Sequence, residues 1–218
     1  MYHILSWVMA NKIHFSLIFK RARGFCMKNI FLCTLFLLIT GCGTMVYELE
    51  TQPITDYPES EKIDLSVELI IPNELESYAH ESSAEQLPLG SILAENAINM
   101  SKTLFRQVVV TKNENRPPQS GVDAILIPKI VSVAHTRPMA AYSDRKLTVI
   151  FQWLLKDIKG KTIWVDTIEG EGINNLGTAF SLESNTHERV ELLMEDLFKK
   201  SYISISSSKE IKNFKPEI

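Results

Sequence analysis

Three histidines and the Ser-Ser pair beside one of them are the first candidates after residue 42 for catalysis or metal binding. His80, His135 and His187 have no partner at the spacing of a His-x-x-x-His or Glu-x-x-His metal motif. Ser82 and Ser83 follow His80 closely, but adjacency in a loop does not produce the geometry of a catalytic triad. We therefore expect loop or surface histidines and a protein that is not an enzyme and uses neither a metal nor an organic cofactor.

A glycine-rich segment at residues 170–177 is the second candidate site, because closely spaced glycines can cradle a phosphate. It lacks the glycine spacing and the following Lys-Ser/Thr of a phosphate-binding loop. Glu169 and Glu171 would also repel an anion. The sequence therefore predicts that Gly170, Gly172 and Gly177 lie in an ordinary loop.

Cys42 differs from the other cysteines because it closes a short apolar run. Residues 30–39 are apolar apart from Thr34 and follow a basic residue, Lys28. Ten residues are too few to span a bilayer, which needs about 20, so the run is typical of a secretory signal. The tetrapeptide Ile39-Thr40-Gly41-Cys42 resembles the cleavage and acylation motif of bacterial lipoproteins.

That resemblance implies a diacylglycerol thioether on Cys42, cleavage after Gly41 and acylation of the new amino group by a fatty acid such as palmitate. Residues 1–41 would be the signal peptide, with a true start at Met27. In proteins with this motif, an Asp directly after the cysteine resembles an inner-membrane retention signal. This chain has Gly43 at that position, so the expected location is the outer membrane, with the domain facing the periplasm.

The charge of the processed chain excludes several functions. The five basic residues before Cys42 leave with the signal, so 18 basic and 26 acidic residues remain, a net charge of −8. Such a chain has no electrostatic reason to bind nucleic acid, and membrane attachment must come from the acyl chains. Cys26 and Cys33 are also removed, so no thiol is left for disulfides or metal binding.

The rest of the chain divides into three parts. Residues 42–62 contain two prolines and no steady hydrophobic period, which predicts a flexible tether with a reach on the order of 25 Å. Residues 63–206 form one α+β domain, and residues 207–218 are a polar tail that we expect to fray.

Periodicity predicts the elements of the domain. Strands are expected at residues 63–71, 108–110, 124–134, 147–155 and 161–169, with Pro128 at a sheet edge or bulge. One helix begins near Leu89, and a second begins at a capping box formed by residues 185–188. The order is strand-helix-strand-strand-strand-strand-helix. This order predicts a mostly antiparallel sheet of about five strands with two helices packed on one face.

Two short patterns add a resemblance for the domain. Asp123-Ala124 precedes an aliphatic strand, and a hairpin closes as Asp157-x-x-Gly160-x-x-x-Trp164. The pair resembles envelope lipoproteins of the curli-secretion, penicillin-binding-protein-activator and Tol amino-terminal-domain type. The resemblance implies a non-catalytic domain that serves a protein partner in envelope assembly or export. The alternative is a periplasmic domain that carries a small ligand or lipid, similar to the lipopolysaccharide-assembly lipoprotein.

Overall fold

The structure is a computed structural model. It describes residues 45–49, 53–58, 61–81, 85–113, 116–136, 145–174 and 182–216. The predicted signal peptide, Cys42 and the Ser82-Ser83 pair lie outside these residues, as does Gly177.

The described chain contains eight strands and four helices. In chain order they are β1 (Met45–Val46), β2 (Ile63–Ile70), α1 (Asn73–Glu76), β3 (His80–Glu81), β4 (Glu85–Leu87), α2 (Leu89–Leu104), β5 (Phe105–Thr111), β6 (Ala124–Thr136), β7 (Arg145–Asp157), β8 (Thr162–Asn174), α3 (Leu182–Ser207) and α4 (Lys209–Asn213).

The main sheet has five strands in the order β5-β2-β6-β7-β8, and a small sheet has the order β1-β4-β3. The five strands and the order of the long elements confirm the prediction of an α+β domain. The prediction of a mostly antiparallel sheet is inexact, because β2 is parallel to both β5 and β6 while β6, β7 and β8 are antiparallel. Helix α2 returns the chain to the end of the sheet at which β2 begins, so β5 runs parallel to β2.

The two long helices pack on one face of the sheet, and the other two helices were not predicted. Every second side chain of β7 faces the helices and is completely buried, from Leu147 to Leu155. This is the strand with the strictest alternation in the sequence. Val190, Leu193, Leu197 and Phe198 of α3 are also fully buried, so the space between β7 and α3 is filled by side chains.

The hairpin between β7 and β8 forms as predicted. Gly160 has φ +85°, and the Asp157 Oδ1 atom accepts hydrogen bonds from the backbone N–H groups of Lys159 (2.9 Å) and Lys161 (2.8 Å). The Asp side chain and a left-handed glycine are the two components that such a turn requires.

Pro128 lies where β6 extends beyond its parallel neighbour. The pairing of β2 with β6 ends at Leu126, and a register shift follows between Ile130 and Ser132. A proline has no backbone donor, so it fits a position where the ladder on one side has ended. The prediction of an edge or bulge position is consistent with this location.

Two boundaries differ from the prediction. The third helix begins at Leu182, three residues before the expected capping box at Asn185, so that residue lies inside the helix. Gly170 and Gly172 lie in β8 and not in a loop. Both are buried against α3, at positions where a side chain would collide with the helix.

The end of the chain is ordered by a short helix. Ser208 caps α4 by accepting a hydrogen bond from the Ile211 N–H group (3.2 Å), and Ile211 is 1% exposed. Phe214 packs against the core from the residue after the helix. These contacts connect Ser208, Ile211 and Phe214 of the predicted polar tail to the domain.

Candidate functional site

The residue predicted to carry the lipid, Cys42, lies three positions before the first described residue, Met45. The structure therefore reports on the chain that leads from the predicted anchor into the domain. We call the described residues 45–49 and 53–58 the anchor arm.

The first part of the anchor arm is a strand. Met45 and Val46 pair in parallel with Glu85 and Gln86 of β4, and the Tyr47 N–H group donates to the Gln86 carbonyl (3.3 Å). The Tyr47 side chain is 6% exposed and belongs to the core. The arm therefore joins the fold within three residues of the expected lipidation site.

The second part of the arm lies along the two long helices. The Ile54 N–H group donates to the Oδ1 atom of Asn96 on α2 (2.9 Å), while the Asn96 Nδ2 atom donates to the Ile92 carbonyl (2.9 Å). The Tyr57 ring stacks on Tyr202 of α3, with centroids 5.1 Å apart and planes 14° apart. Burial raises the pKa of Tyr57 above its ordinary value of 10.

His187 also holds the arm. Its Nε2 atom lies 2.9 Å from the Glu48 carbonyl oxygen. Contacts therefore run from the first turns of α3, at His187, to its later part, at Tyr202. Residues 42–62 were expected to form a flexible tether, and the described residues 45–49 and 53–58 of this segment contact the domain.

The contact between Ile54 and Asn96 gives a direct test of arm docking. We expect slow amide hydrogen exchange at Ile54 in the wild-type chain and an increase of about tenfold or more in Asn96→Ala, because its acceptor is lost. Exchange is measured by NMR. Asn99→Ala is the matched control, since the Asn99 side chain makes no hydrogen bond to the described residues. Equal exchange at Ile54 in both variants would show that the arm is not docked.

The structure brings two of the three histidines together. His80 lies in β3 and His135 in β6, with ring centroids 6.5 Å apart in an edge arrangement. Both are half-buried, and burial lowers the pKa of His80. Within the described ranges, no group of three His, Cys, Asp or Glu side chains is arranged to hold a metal ion.

A polar cluster that the sequence did not reveal covers the outer side of β2. Ser66 and Glu68 alternate with the aliphatic residues of β2 and are 3% and 1% exposed. The Glu68 carboxylate accepts from the Arg116 Nη2 atom (2.9 Å) and from the Gln119 N–H group (2.9 Å). The Ser66 N–H group donates to the Asp123 Oδ2 atom (2.7 Å), and the Asp123 N–H group donates to the Ser66 carbonyl (2.7 Å). These contacts position the chain between β5 and β6, so their role is structural.

Side chains of α3 close the free edge of β8. The Asp196 Oδ2 atom accepts from the Glu171 N–H group (2.9 Å), and the Lys200 Nζ atom donates to the Glu169 carbonyl (3.0 Å). Asp196 and Lys200 also form an ion pair of 2.7 Å. Since charged side chains occupy these backbone groups, another strand cannot pair with β8 there.

A partly enclosed pocket of about 630 Å3 lies at the other end of the sheet from the histidine pair. We call it the end pocket. The connection before β6, the turn between β7 and β8, and the chain after α4 form its walls. The lining combines apolar side chains, represented by Val122, Ile163 and Phe214, with three lysines, Lys159, Lys161 and Lys215.

None of the described helices is long and apolar enough to cross a bilayer.

Comparisons with known proteins do not assign the chain to a family. No protein-family model matches it, and no curated protein matches it. Solved structures with a partial likeness include a Xanthomonas campestris protein of a family of unknown function, DUF330. The two share 8% identity and a TM-score of 0.45, over 74% of this chain and 93% of that one.

Two further structures belong to bacterial proteins described as lipoproteins. A minor lipoprotein from Acinetobacter baumannii has 11% identity and a TM-score of 0.40, over 67% of this chain and 94% of that one. A candidate lipoprotein from Caulobacter crescentus has 13% identity and a TM-score of 0.38, over 61% and 87%. All three TM-scores are below 0.5, so we derive no function from these similarities.

Proposed function

We propose that this protein is a lipid-anchored component of the bacterial cell envelope, with acyl chains on Cys42 in the outer membrane and a domain in the periplasm. It acts without catalysis, by presenting that domain to a protein partner in envelope assembly or export. The observation that carries the proposal is the docking of the chain from Met45 onward, three positions after Cys42. A free tether would let the domain move independently of the anchor, whereas a docked arm limits the distance between the domain and the anchor.

The distance between anchor and domain follows from chain length. Met45 is three positions after Cys42, so the Cα atoms of the two residues lie at most about 11 Å apart. Met45 pairs with β4, which immediately precedes α2. The domain is therefore held at the membrane surface, with the small sheet and the start of α2 on the lipid side.

The opposite end of the fold then faces the periplasm. α2 has 16 residues and is about 24 Å long. Its last residue adjoins β5, whose first residue pairs with Ile63, and the turn containing Gly160 lies at this same end of the sheet. A periplasmic partner or ligand would therefore contact this distal end or the side of the sheet.

The absence of catalysis remains part of the proposal. His187 contacts the Glu48 carbonyl and so holds the anchor arm. His80 and His135 face each other, and no catalytic pairing of either residue is evident from the sequence. A role in structure explains these positions without invoking a reaction.

The face of the sheet away from the two long helices is the surface that we assign to a protein partner. Val165 and Ile173 of β8 project on this face and are 51% and 45% exposed, and Val131 beside the register shift of β6 is 52% exposed. These three side chains are the apolar contacts that we assign to the partner on this face. The edge of β8 is excluded as a pairing site by Asp196 and Lys200.

The alternative function, a domain that carries a small ligand, is favoured by one observation. The end pocket, with about 630 Å3, falls within the range of ligand sites in proteins. It lies outside the packed space between the sheet and the helices, so any ligand would be held at the distal surface and not within the core.

The anchor is tested by Cys42→Ala. We expect the variant to lose incorporation of radiolabelled palmitate and to accumulate as an uncleaved precursor, because the thiol that accepts the lipid is missing. The wild-type protein should fractionate with outer-membrane markers on a sucrose gradient. Cleavage of the variant at the same bond would contradict lipidation, and wild-type protein in the inner-membrane fractions would contradict the location.

The same membranes test the partner. A photo-crosslinking residue at Val165 should give one defined protein adduct in the lipidated wild-type background and should lose it in Cys42→Ala. The matched position is Lys209, which is exposed on α4. Equal adducts from both positions would show that the sheet face is not selective.

A further inference from the structure

The walls of the end pocket are preformed by contacts on three sides. Asp157 fixes the turn between β7 and β8, the Asp123 N–H group donates to the Ser66 carbonyl (2.7 Å), and the Phe214 N–H group donates to the Ile211 carbonyl (3.2 Å). Since Ile211 is buried, α4 holds Phe214 at the pocket. A ligand would therefore bind a preformed pocket, so little conformational entropy would be lost on binding.

One part of the lining is apolar. Val122 is 9% exposed, while Ile163 and Phe214 are half-buried and pack against the core. Ile158 contributes a more open side chain from the turn, 43% exposed. These side chains provide contact surface for an alkyl chain or ring, whose removal from water is worth roughly 25 cal/mol per Å2.

The second part of the lining is cationic. Lys159, Lys161 and Lys215 all border the pocket, and the Nζ atoms of Lys161 and Lys215 make no hydrogen bond or ion pair with the described residues. The clustering is notable in a processed chain of net charge −8. Two ammonium groups without protein partners raise the local potential toward anions.

The two acidic residues of the lining do not cancel this potential fully, because their oxygens have other partners. The Asp157 Oδ1 atom accepts from two backbone N–H groups of the turn. The Asp123 Oδ2 atom accepts from the Ser66 N–H group (2.7 Å) and lies 3.3 Å from the Arg106 Nη2 atom. Each carboxylate therefore accepts hydrogen bonds from the backbone around the pocket, while Lys161 and Lys215 have no side-chain partner among the described residues.

We propose that the end pocket binds a small amphiphilic anion, an alkyl chain or ring that carries a single carboxylate or phosphate head. The apolar part lies on Val122, Ile163 and Phe214, and the head is paired by Lys161 and Lys215. This inference does not depend on lipidation of Cys42 or on a protein partner. It gives the ligand-carrying alternative a site and a chemical class.

The test uses the protein as purified from its cells, in phosphatidylcholine nanodiscs, with empty nanodiscs as the blank. Octanoate, octyl phosphate and the neutral octanamide are titrated by isothermal calorimetry. We expect one octanoate or octyl phosphate per chain and affinity for octanamide that is lower by about tenfold, equal to about 1.4 kcal/mol. A preference between the two anions identifies a free acid or a phosphorylated lipid as the source.

Charge reversal localises the site. Lys161→Glu with Lys215→Glu should weaken octanoate binding by about tenfold or more, whereas Lys209→Glu with Lys212→Glu on α4 should change it by less than about twofold. Both pairs change the net charge equally, so a general electrostatic effect would weaken binding in both.

The apolar contact is tested separately with Ile158→Ser, since this exposed turn residue can be replaced without loss of folding. We expect octanoate binding to weaken severalfold at an unchanged melting temperature. The proposal is overturned if octanamide binds as well as octanoate, if the Lys161/Lys215 variant binds like wild type, or if no anion binds beyond the blank. Each of these outcomes leaves the lipid-anchor proposal untouched.

Discussion

Gly172→Ala is expected to destabilise the domain by at least about 3 kcal/mol, a large share of the stability of a typical domain. A Cβ atom at Gly172 would lie 2.0 Å from the Arg189 carbonyl oxygen and 2.9 Å from the Leu193 Cβ atom. The first of these atoms is helix backbone, which no change of rotamer can move. α3 would have to lift from β8, which would expose Leu193 and Leu197 to water.

Urea unfolding of a soluble fragment of residues 45–218 measures this effect. Gly160→Ala is the control, because a Cβ atom there meets nothing within 4 Å and only the left-handed φ of +85° opposes it. That strain costs about 1 to 2 kcal/mol. If the two variants unfold at the same urea concentration, β8 and α3 are not in the contact described.

Phe151→Ala is the second large effect, with an expected loss of about 3 to 5 kcal/mol. The Phe151 side chain is fully buried in a cluster of three rings, 5.3 Å from the Trp153 ring and 6.0 Å from the Phe198 ring between centroids. The Trp153 Nε1 atom donates to the Ser201 Oγ atom (2.9 Å), so the cluster connects β7 to α3. Removing the ring therefore leaves a cavity at the centre of the sheet-to-helix contact.

The same unfolding measurement on the fragment of residues 45–218 applies, with Val165→Ala as the matched control. Val165 lies on β8, is 51% exposed and should contribute within about 0.5 kcal/mol. A Phe151→Ala midpoint close to that of Val165→Ala would mean that β7 does not lie at the centre of the fold.

Elements with strong local patterns could be predicted from the sequence. The strict alternation around Phe151, the stripe that begins at Leu89 and the turn chemistry of Asp157 and Gly160 each report how one segment meets its surroundings. Periodicity is a property of a single helix or strand, so it does not require knowledge of the rest of the chain. The anchor at Cys42 rests on the same kind of local pattern and stays a prediction.

Strand direction and glycine packing could not be predicted in this way. The helix between β2 and β5 makes these strands parallel, while the prediction considered strand number and not the path of the chain. Gly170 and Gly172 resembled a loop because glycine is rare in strands. Glycine is required at both positions because α3 approaches β8 closely, and the contacting residues of α3 lie between 17 and 27 positions later in the sequence.

The anchor arm and the end pocket depend on contacts between residues that are far apart in the chain. Ile54 bonds to Asn96, 42 residues away, and Glu48 to His187, 139 residues away. The end pocket is lined by three connecting segments that share no sequence pattern. The sequence therefore indicates an α+β domain, with strands and helices that follow from local periodicity, and predicts a lipid anchor before it. Tertiary packing brings the arm onto the helices and three lysines to one pocket, because these contacts exist only after the chain has folded back on itself.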